Sequence, residues 1–280
     1  MELGEDAKPL AGGQSLIPLM KLRLSRPTAL VDLNFIPGLG RIEKHNGAIR
    51  FGALARHEDI ADSKFASEIP ILHDCAGGIA DVQVRNRGTI GGSLAEADPT
   101  GDWAPVLLAL STEVHAIGPS GPRAIRVSEF IKDAFTTVLG PGELIQEVSV
   151  QVPAKNSGGS YVAFKRSAPV YASASAAVQL TMADRDTCKE ARVYLGCVGL
   201  VPVHAVQAER ALDGRKVTPR AIEAAGEAAM AEAEPQSDMR GSAEYKRLLV
   251  RALVKKAIEV ALKRSRGEHV EVSHEYVGRS

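Results

Sequence analysis

The first half of the chain alternates between short apolar runs and turn residues. Three short segments closed by turns are predicted to be strands, KPLAG, ALVDL and AIRFGA, and residues 144–152 alternate apolar and polar positions well enough for a fourth. Three segments carry apolar side chains at helical spacing and are predicted helices: residues 59–63, 69–80 and 105–110. The sequence GPSGP separates residues 113–116 from residues 124–127, which predicts a hairpin.

The second half follows a different pattern, in which strands come first and helices afterwards. Residues 153–159 (PAKNSGG) have the composition of a linker, which predicts a boundary between one domain at 1–154 and another at 159–270. Three strands are predicted next: residues 161–166, 171–182 and 188–198. Thr218-Pro219 begins a helix, and a last helix is predicted over residues 242–266. This order is typical of an α+β protein.

Charge and cysteine usage narrow the classes of function. The 34 Lys and Arg residues equal the 34 Asp and Glu residues, so no electrostatic footprint points to nucleic acid or to a membrane surface. No apolar run is long enough to span a bilayer, and no secretory signal begins the chain, so a cytoplasmic location is expected. Cys75, Cys188 and Cys197 lie too far apart for iron–sulfur ligation and are expected to be reduced.

Two loops of the same form stand out, AGGQS at residues 11–15 and TIGGS at residues 89–93. Glycine pairs allow close approach of the backbone to a ligand, and consecutive N–H groups can form a concave anion site. Two such loops are compatible with the phosphates of one dinucleotide held from opposite sides, whereas for either loop alone a tight turn is the favoured interpretation. Ser15 is placed to cap the segment that follows it. Neither loop matches the G-x-G-x-x-G or G-x-x-x-x-G-K-[ST] fingerprint, which disfavours a nicotinamide domain and a nucleoside triphosphatase.

Charged and aromatic residues close to these loops offer further candidates. Asp98 and Asp102 can accept hydrogen bonds from cofactor hydroxyls, or can simply form a turn and a helix cap. Lys165 can balance negative charge and Tyr171 can cover a ring, although spacing alone favours a surface charge beside an interface tyrosine.

The remaining candidates are two arginines and the histidines. The R-N-R step at Arg85 and Arg87 can face phosphate, stabilise the loop or lie in solvent. The seven histidines show no ligand spacing, and no metal site is expected.

Several of these segments together resemble the flavoprotein subunit of the molybdenum hydroxylases. They are AGGQSLIPLMKLRLSRP, IRFGALARHEDI, QVRNRGTIGGSLAEADPTGDWAPVLLAL, GELIQEVSV, KRSAPVYASASAAVQL and SDMRGSAEYKRLLVRALVKKA. The resemblance covers nearly the whole chain. It implies a vanillyl-alcohol-oxidase-like (PCMH-type) FAD-binding domain in two α/β lobes, followed by a three-stranded antiparallel sheet plus helices. The family carries about one further β-α unit ahead of the first loop, so an exposed sheet edge is expected here.

The resemblance also implies which residues contact FAD. Both loops hold the pyrophosphate, Asp102 contacts the cofactor, Leu144 and Ile145 lie near the rings, Lys165 supplies a cation, and Tyr171 shields the flavin. The implied cofactor-binding residues are Ala11, Gly12, Gly13, Gln14, Ser15, Thr89, Ile90, Gly91, Gly92, Ser93, Asp102, Leu144, Ile145, Lys165 and Tyr171.

The function that the resemblance implies is electron transfer through non-covalently bound FAD. A large partner subunit carries the molybdenum cofactor and the substrate pocket, and a small partner carries [2Fe–2S] clusters, in what is expected to be a dimer of heterotrimers. FAD carries the redox chemistry, so no side chain of this chain is expected to act as a general acid or base. Two alternatives remain open: a stand-alone FAD-dependent oxidase, and a non-catalytic docking subunit that has lost FAD.

Overall fold

A small lobe opens the fold. The computed structural model describes residue 4, residues 6–167, residues 169–272 and the backbone of residues 275–276. Strand β1 (Lys8–Leu10) and strand β2 (Leu30–Asp32) pair in parallel, with Lys8 opposite Leu30. Parallel strands need a crossover, which here contains helix α1 (Leu16–Lys21). Both strands are largely exposed.

The second lobe is a five-stranded antiparallel sheet in the order β3-β4-β9-β5-β6. Its strands are β3 (Ile42–His45), β4 (Ala48–Gly52), β5 (Thr112–Gly118), β6 (Gly121–Arg126) and β9 (Leu144–Gln151). Strands β5 and β6 form the hairpin that GPSGP predicts. Buried side chains of β4 and β9, including Phe51 and Val148, form the centre of this core.

Short helices connect β4 to β5 and pack against the sheet. They are α2 (His57–Ala61), α3 (Lys64–Glu68), α4 (Pro70–Gly78), α5 (Val82–Arg85), α6 (Ile90–Glu96) and α7 (Trp103–Ala109). Helix α8 (Val127–Phe130) and the strand pair β7 (Ile131–Asp133) and β8 (Thr136–Thr137) lie between β6 and β9. The predicted helices at 59–63, 69–80 and 105–110 correspond to α2, α4 and α7. Each shifts by a few residues, as helix boundaries read from sequence do.

The last part of the chain is a sheet with helices packed against it. Strands β10 (Ser157–Lys165), β11 (Ala174–Met182) and β12 (Cys188–Gly196) are antiparallel neighbours, which confirms the predicted three-stranded core. Two edge strands, β13 (Val203–His204) and β14 (Glu275–Tyr276), extend this sheet to five. Helices α9 (Val206–Leu212), α10 (Pro219–Glu232) and α11 (Ala243–Ser265) follow. Thr218 caps α10 and Ser242 caps α11, as the sequence predicts.

The second lobe and the last sheet share one continuous core. Tyr161 and Ala163 of β10 are fully buried in the same cluster as Trp103 and Leu72. A buried ion pair crosses the same contact, where Arg264 donates to both carboxylate oxygens of Asp74 at 2.5 and 2.9 Å. Every helix in the described part of the chain is too short or too polar to span a bilayer.

Candidate functional site

One cavity of about 620 Å³ lies where the small lobe meets the second lobe. All but one of the residues that the resemblance implies as cofactor contacts reach its wall. These residues are Ala11, Gly12, Gly13, Gln14, Ser15, Thr89, Gly91, Gly92, Ser93, Asp102, Leu144, Ile145, Lys165 and Tyr171. Ile90 is the exception, because its side chain is fully buried in the core and its N–H bonds to the carbonyl of Ala55.

The two glycine loops touch each other at this cavity. A Cβ on Gly12 would collide with the carbonyl oxygen of Arg87, just ahead of the second loop. A Cβ on Gly92 would lie 3.7 Å from the Cβ of Ala11 and 2.7 Å from the hydroxyl of Thr89. Gly12 therefore needs to be glycine because of close backbone packing between the loops, whereas the tight contact at Gly92 is with the Thr89 side chain of its own loop.

The second loop uses its backbone donors inside the protein. The N–H of Gly91 donates to the carbonyl of Ala53 at 2.9 Å, and that of Gly92 donates to the Thr89 hydroxyl at 3.1 Å. Ser93 donates to the carbonyl of Thr89 at 3.0 Å. The expected nest of free N–H groups is therefore wrong for this loop, whose residues the structure describes completely. Its contribution to the cavity is a close backbone surface with the hydroxyls of Thr89 and Ser93.

The first loop is the one with free donors. Among the hydrogen bonds of the described residues, none uses the N–H groups of Gly12, Gly13, Gln14 or Ser15. Gly13 has a φ of 75°, in the left-handed region that favours glycine. Ser15 occupies the N-cap position of α1 without a capping side-chain bond, so the predicted cap is wrong and its hydroxyl is free. Consecutive unpaired N–H groups in a concave turn are a binding site for an oxyanion.

A buried polar triad lies at the cavity, with Asp102 and Lys165 on its wall and Tyr161 in the core beside them. The hydroxyl of Tyr161 donates to Oδ1 of Asp102 at 2.6 Å, and Nζ of Lys165 lies 3.4 Å from the same oxygen. Lys165 also donates to the carbonyl of Gly78 at 2.6 Å. Burial raises the pKa of the Tyr161 hydroxyl well above its usual value, so this group stays a donor.

The triad decides two alternatives that the sequence left open. Asp102 makes no helix-capping bond, so it does not serve as a cap for α7. Lys165 is only 1% exposed, so it is not a surface charge. The reasoning from sequence missed Tyr161, because an apolar strand position carries no sign of a partner in another domain.

His57 is a second residue that sequence reasoning missed. It lines the cavity, and its Nδ1 accepts a hydrogen bond from Nε1 of Trp103 at 3.1 Å. Burial lowers the pKa of His57 from 6.5 to about 4, although the carboxylate of Asp102 opposes the shift. The imidazole is therefore neutral at pH 7 and keeps its proton on Nε2, since Nδ1 is the acceptor.

We expect the lowered pKa of His57 to appear as acid sensitivity of the fold. Between pH 6.5 and about 4 the unfolded chain binds a proton that the folded chain does not, so stability falls as pH falls through this window. The shift corresponds to roughly 3 kcal/mol. His57→Gln keeps an acceptor for Trp103 but cannot titrate. Between pH 7.5 and pH 4, urea unfolding should show that the free energy of unfolding falls by roughly 3 kcal/mol more in the wild type than in the variant. Equal losses in the two proteins would refute the lowered pKa of His57.

Two of the other candidates near the loops, Asp98 and Arg85, have structural partners, whereas the side chains of Arg87 and Tyr171 are exposed. Asp98 lines the cavity, but its Oδ1 accepts from the N–H and hydroxyl of Thr100 at 2.8 and 2.7 Å, which confirms the turn alternative. Arg85 pairs with Glu58 at 2.5 Å, which stabilises the segment ahead of the second loop. Tyr171 lines the mouth of the cavity and is 51% exposed.

The cavity therefore brings together free backbone donors and the ammonium of Lys165, and the carboxylates of Glu96, Asp98 and Asp102 also line it. No group of three His, Cys, Asp or Glu side chains in the described part of the chain is placed to hold a metal ion. An elongated anionic ligand with a diphosphate and a planar ring fits the first loop, the apolar wall at Leu144 and Ile145, and the ammonium of Lys165.

Comparison with known proteins points to the same ligand. The FAD binding domain in molybdopterin dehydrogenase matches residues 1–155, and the CO dehydrogenase flavoprotein C-terminal domain matches residues 159–261. The chain is 39% identical to the 6-hydroxypseudooxynicotine dehydrogenase complex subunit alpha of Paenarthrobacter nicotinovorans, over 97% of this chain and 92% of that protein. It is 37% identical to the carbon monoxide dehydrogenase medium chain of Afipia carboxidovorans, over 95% of this chain and 92% of that protein.

Solved structures show the same fold. The carbon monoxide dehydrogenase of Hydrogenophaga pseudoflava contains a chain that superposes with a TM-score of 0.90 at 37% identity, covering 94% of this chain and 92% of that one. Quinoline 2-oxidoreductase from Pseudomonas putida contains another, with a TM-score of 0.88 at 32% identity, covering 93% of this chain and 91% of that one. These likenesses confirm the expected PCMH-type fold. The chain belongs to the FAD-binding subunits of the molybdopterin dehydrogenases, and FAD is its cofactor.

Proposed function

We propose that this chain binds FAD non-covalently in the 620 Å³ cavity and passes electrons from metal centres in partner subunits to an external acceptor. One observation carries the placement of the cofactor. The free N–H groups of residues 12–15 lie on the wall of a cavity that also touches the second glycine loop. A diphosphate is the part of FAD that such donors bind, because its oxygens accept several hydrogen bonds at once.

The proposed roles of the other wall residues follow from their surroundings. Lys165 supplies a fixed positive charge, held in place by Asp102 and the carbonyl of Gly78. Leu144 and Ile145 supply apolar surface for a ring, and Tyr171 at the mouth shields that ring from solvent. FAD, when bound, supplies the ability to take up and release electrons, so this chain positions the cofactor and sets its electrostatic surroundings.

The proposed partners are a large subunit with the molybdenum cofactor and a small subunit with [2Fe–2S] clusters. The relatives support this, because they are named as a medium chain and as a subunit of a dehydrogenase complex. We extend the proposal to a dimer of heterotrimers in the cytoplasm. We place the domain boundary between residues 154 and 159, where β9 has ended and β10 begins at Ser157.

Purification of the tagged chain from its native cells tests the proposal. The expected preparation contains two further protein chains, molybdenum, iron and FAD in stoichiometric amounts. Acid precipitation should release all of the flavin into the supernatant, whereas yellow colour in the pellet would favour an oxidase with covalently bound flavin. A pure chain without flavin or metals would favour the docking subunit and contradict the proposal.

A further inference from the structure

Two side chains connect the backbones of the two glycine loops. The side-chain amide of Asn34 donates to the carbonyl oxygen of Ala11 at 3.0 Å. The guanidinium of Arg56 donates both to Oδ1 of Asn34 and to the carbonyl oxygen of Arg87. Gly12 also packs closely against the same carbonyl of Arg87, so the first loop and the segment ahead of the second loop are in direct backbone contact as well. Asn34 and Arg56 therefore tie the first loop to the chain that enters the second.

We propose that Asn34 and Arg56 act as a clamp that positions the first loop for a diphosphate. In a trans peptide the carbonyl oxygen and the following N–H point to opposite sides. When Asn34 holds the carbonyl of Ala11, it also fixes the direction of the free N–H of Gly12. Arg56 does the same for the peptide after Arg87, whose N–H at Gly88 donates to the carbonyl of Val84 at 2.7 Å.

The clamp itself is held from two sides. Oδ1 of Asp32, at the end of β2, accepts from both the backbone N–H of Asn34 at 2.9 Å and its side-chain amide at 2.6 Å. Arg56 occupies the N-cap position of α2, and its own backbone forms an antiparallel bridge with Thr89. Neither Asn34 nor Arg56 lies on the cavity wall, so both act through the loops as positioning residues.

The inference rests on the proposed FAD site and predicts a specific pattern of lost affinity. In the full chain with its flavin removed, Asn34→Ala and Arg56→Gln should each weaken FAD binding by about tenfold or more, since each leaves a loop carbonyl without its partner. ADP, which carries the diphosphate without the flavin, should lose affinity by the same factor. Arg56→Lys should be intermediate, because an ammonium keeps the charge but cannot span both acceptors.

Fluorescence titration with FAD and competition by ADP measure these affinities, and thermal unfolding without ligand monitors the fold. Arg266→Gln is the matched control, because Arg266 also joins a backbone carbonyl, that of Arg185, to a side chain, Asp186, away from the cavity. It should leave both affinities unchanged. If Asn34→Ala does not fold, Arg56→Lys carries the test.

The outcomes separate the clamp from the site it serves. A wild-type chain that binds neither FAD nor ADP would refute the proposed function. A wild type that binds both, with Arg56 and Asn34 variants that bind equally well, would overturn the clamp alone. So would a loss confined to FAD, or a loss of affinity that merely follows a loss of folded protein.

Discussion

Gly92→Asp should abolish retention of FAD by the purified chain. Gly92 lies at the contact of the two loops, where an added Cβ would come within 2.7 Å of the Thr89 hydroxyl. The new carboxylate would face the proposed diphosphate. Two unit charges about 4 Å apart repel by about 4 kcal/mol at an effective dielectric constant of about 20. That penalty corresponds to roughly a thousandfold loss of affinity.

Two companion variants separate charge from crowding. Gly92→Ala adds the Cβ without the charge, and we expect it to weaken FAD binding by much less than Gly92→Asp does. Gly40→Asp adds the same charge at an exposed glycine where a Cβ would meet nothing within 4 Å, and it should bind FAD normally. The measurement is the flavin absorbance per chain after gel filtration. Stoichiometric FAD in Gly92→Asp would mean that the diphosphate lies elsewhere.

Asp74→Ala should lower the free energy of unfolding more than any other substitution proposed for this chain. Among the described residues, it would leave the buried guanidinium of Arg264 with the carbonyls of Gly159 and Val270 as its hydrogen-bond partners, and it would also remove the carboxylate that accepts from the N–H of Tyr161. Both side chains of the pair are almost fully buried, with 6% exposure for Arg264 and 1% for Asp74. Removal of one partner from such a pair costs about 3–5 kcal/mol. That is a large share of the roughly 5–15 kcal/mol that stabilises a typical protein.

Urea unfolding gives the loss, and an exposed pair gives the control. Arg266 and Asp186 are 2.7 Å apart but partly exposed, so Asp186→Ala should cost less than about 1 kcal/mol. The double variant Asp74→Ala with Arg264→Met should recover much of the loss, since it removes the stranded charge. Equal small losses for Asp74→Ala and Asp186→Ala would contradict the interpretation that this ion pair couples the second lobe to α11.

Local elements were predictable because their signals lie within a few residues. Thr218-Pro219 predicts the start of α10, and the Thr218 side chain does accept from the N–H of Ala221. The edge strands β13 and β14 could not be predicted, because a strand of two residues is too short to show an alternating pattern of apolar and polar positions. Helix α11 shows the limit of face assignment. The spacing places Leu248 on its apolar face and Lys246 on its charged face, yet Leu248 is 53% exposed and Lys246 is 3% exposed.

The reason lies in partners that the sequence does not reveal. Nζ of Lys246 is buried because it bonds to the carboxylate of Asp238 and to the carbonyl of Gln236, both at 2.9 Å. The contacts of the two glycine loops likewise depend on partners that the sequence does not reveal. Glycine pairs predict close backbone approach, and the structure has it at Gly12, against the carbonyl of Arg87, and at Gly91, against the carbonyl of Ala53. Which loop keeps its N–H groups free depends on the segment after β4, where the carbonyls of Ala53 and Ala55 accept from the second loop.

The buried contacts of the cavity wall were beyond sequence reasoning for the same cause. The Tyr161–Asp102 bond joins residues 59 positions apart, and the Trp103–His57 bond joins residues 46 positions apart. Each forms only because the last sheet and the connecting helices pack on one core. The spacing of residues within a motif does not predict contacts between residues that are so far apart in the sequence.

A crystal structure of the chain with FAD bound tests the central claim most directly. The account predicts phosphate oxygens within about 3 Å of the N–H groups of residues 12–15, with the second loop packed against the same diphosphate through Gly92. A diphosphate held anywhere else, or first-loop N–H groups that still lack an acceptor when FAD is bound, would contradict it.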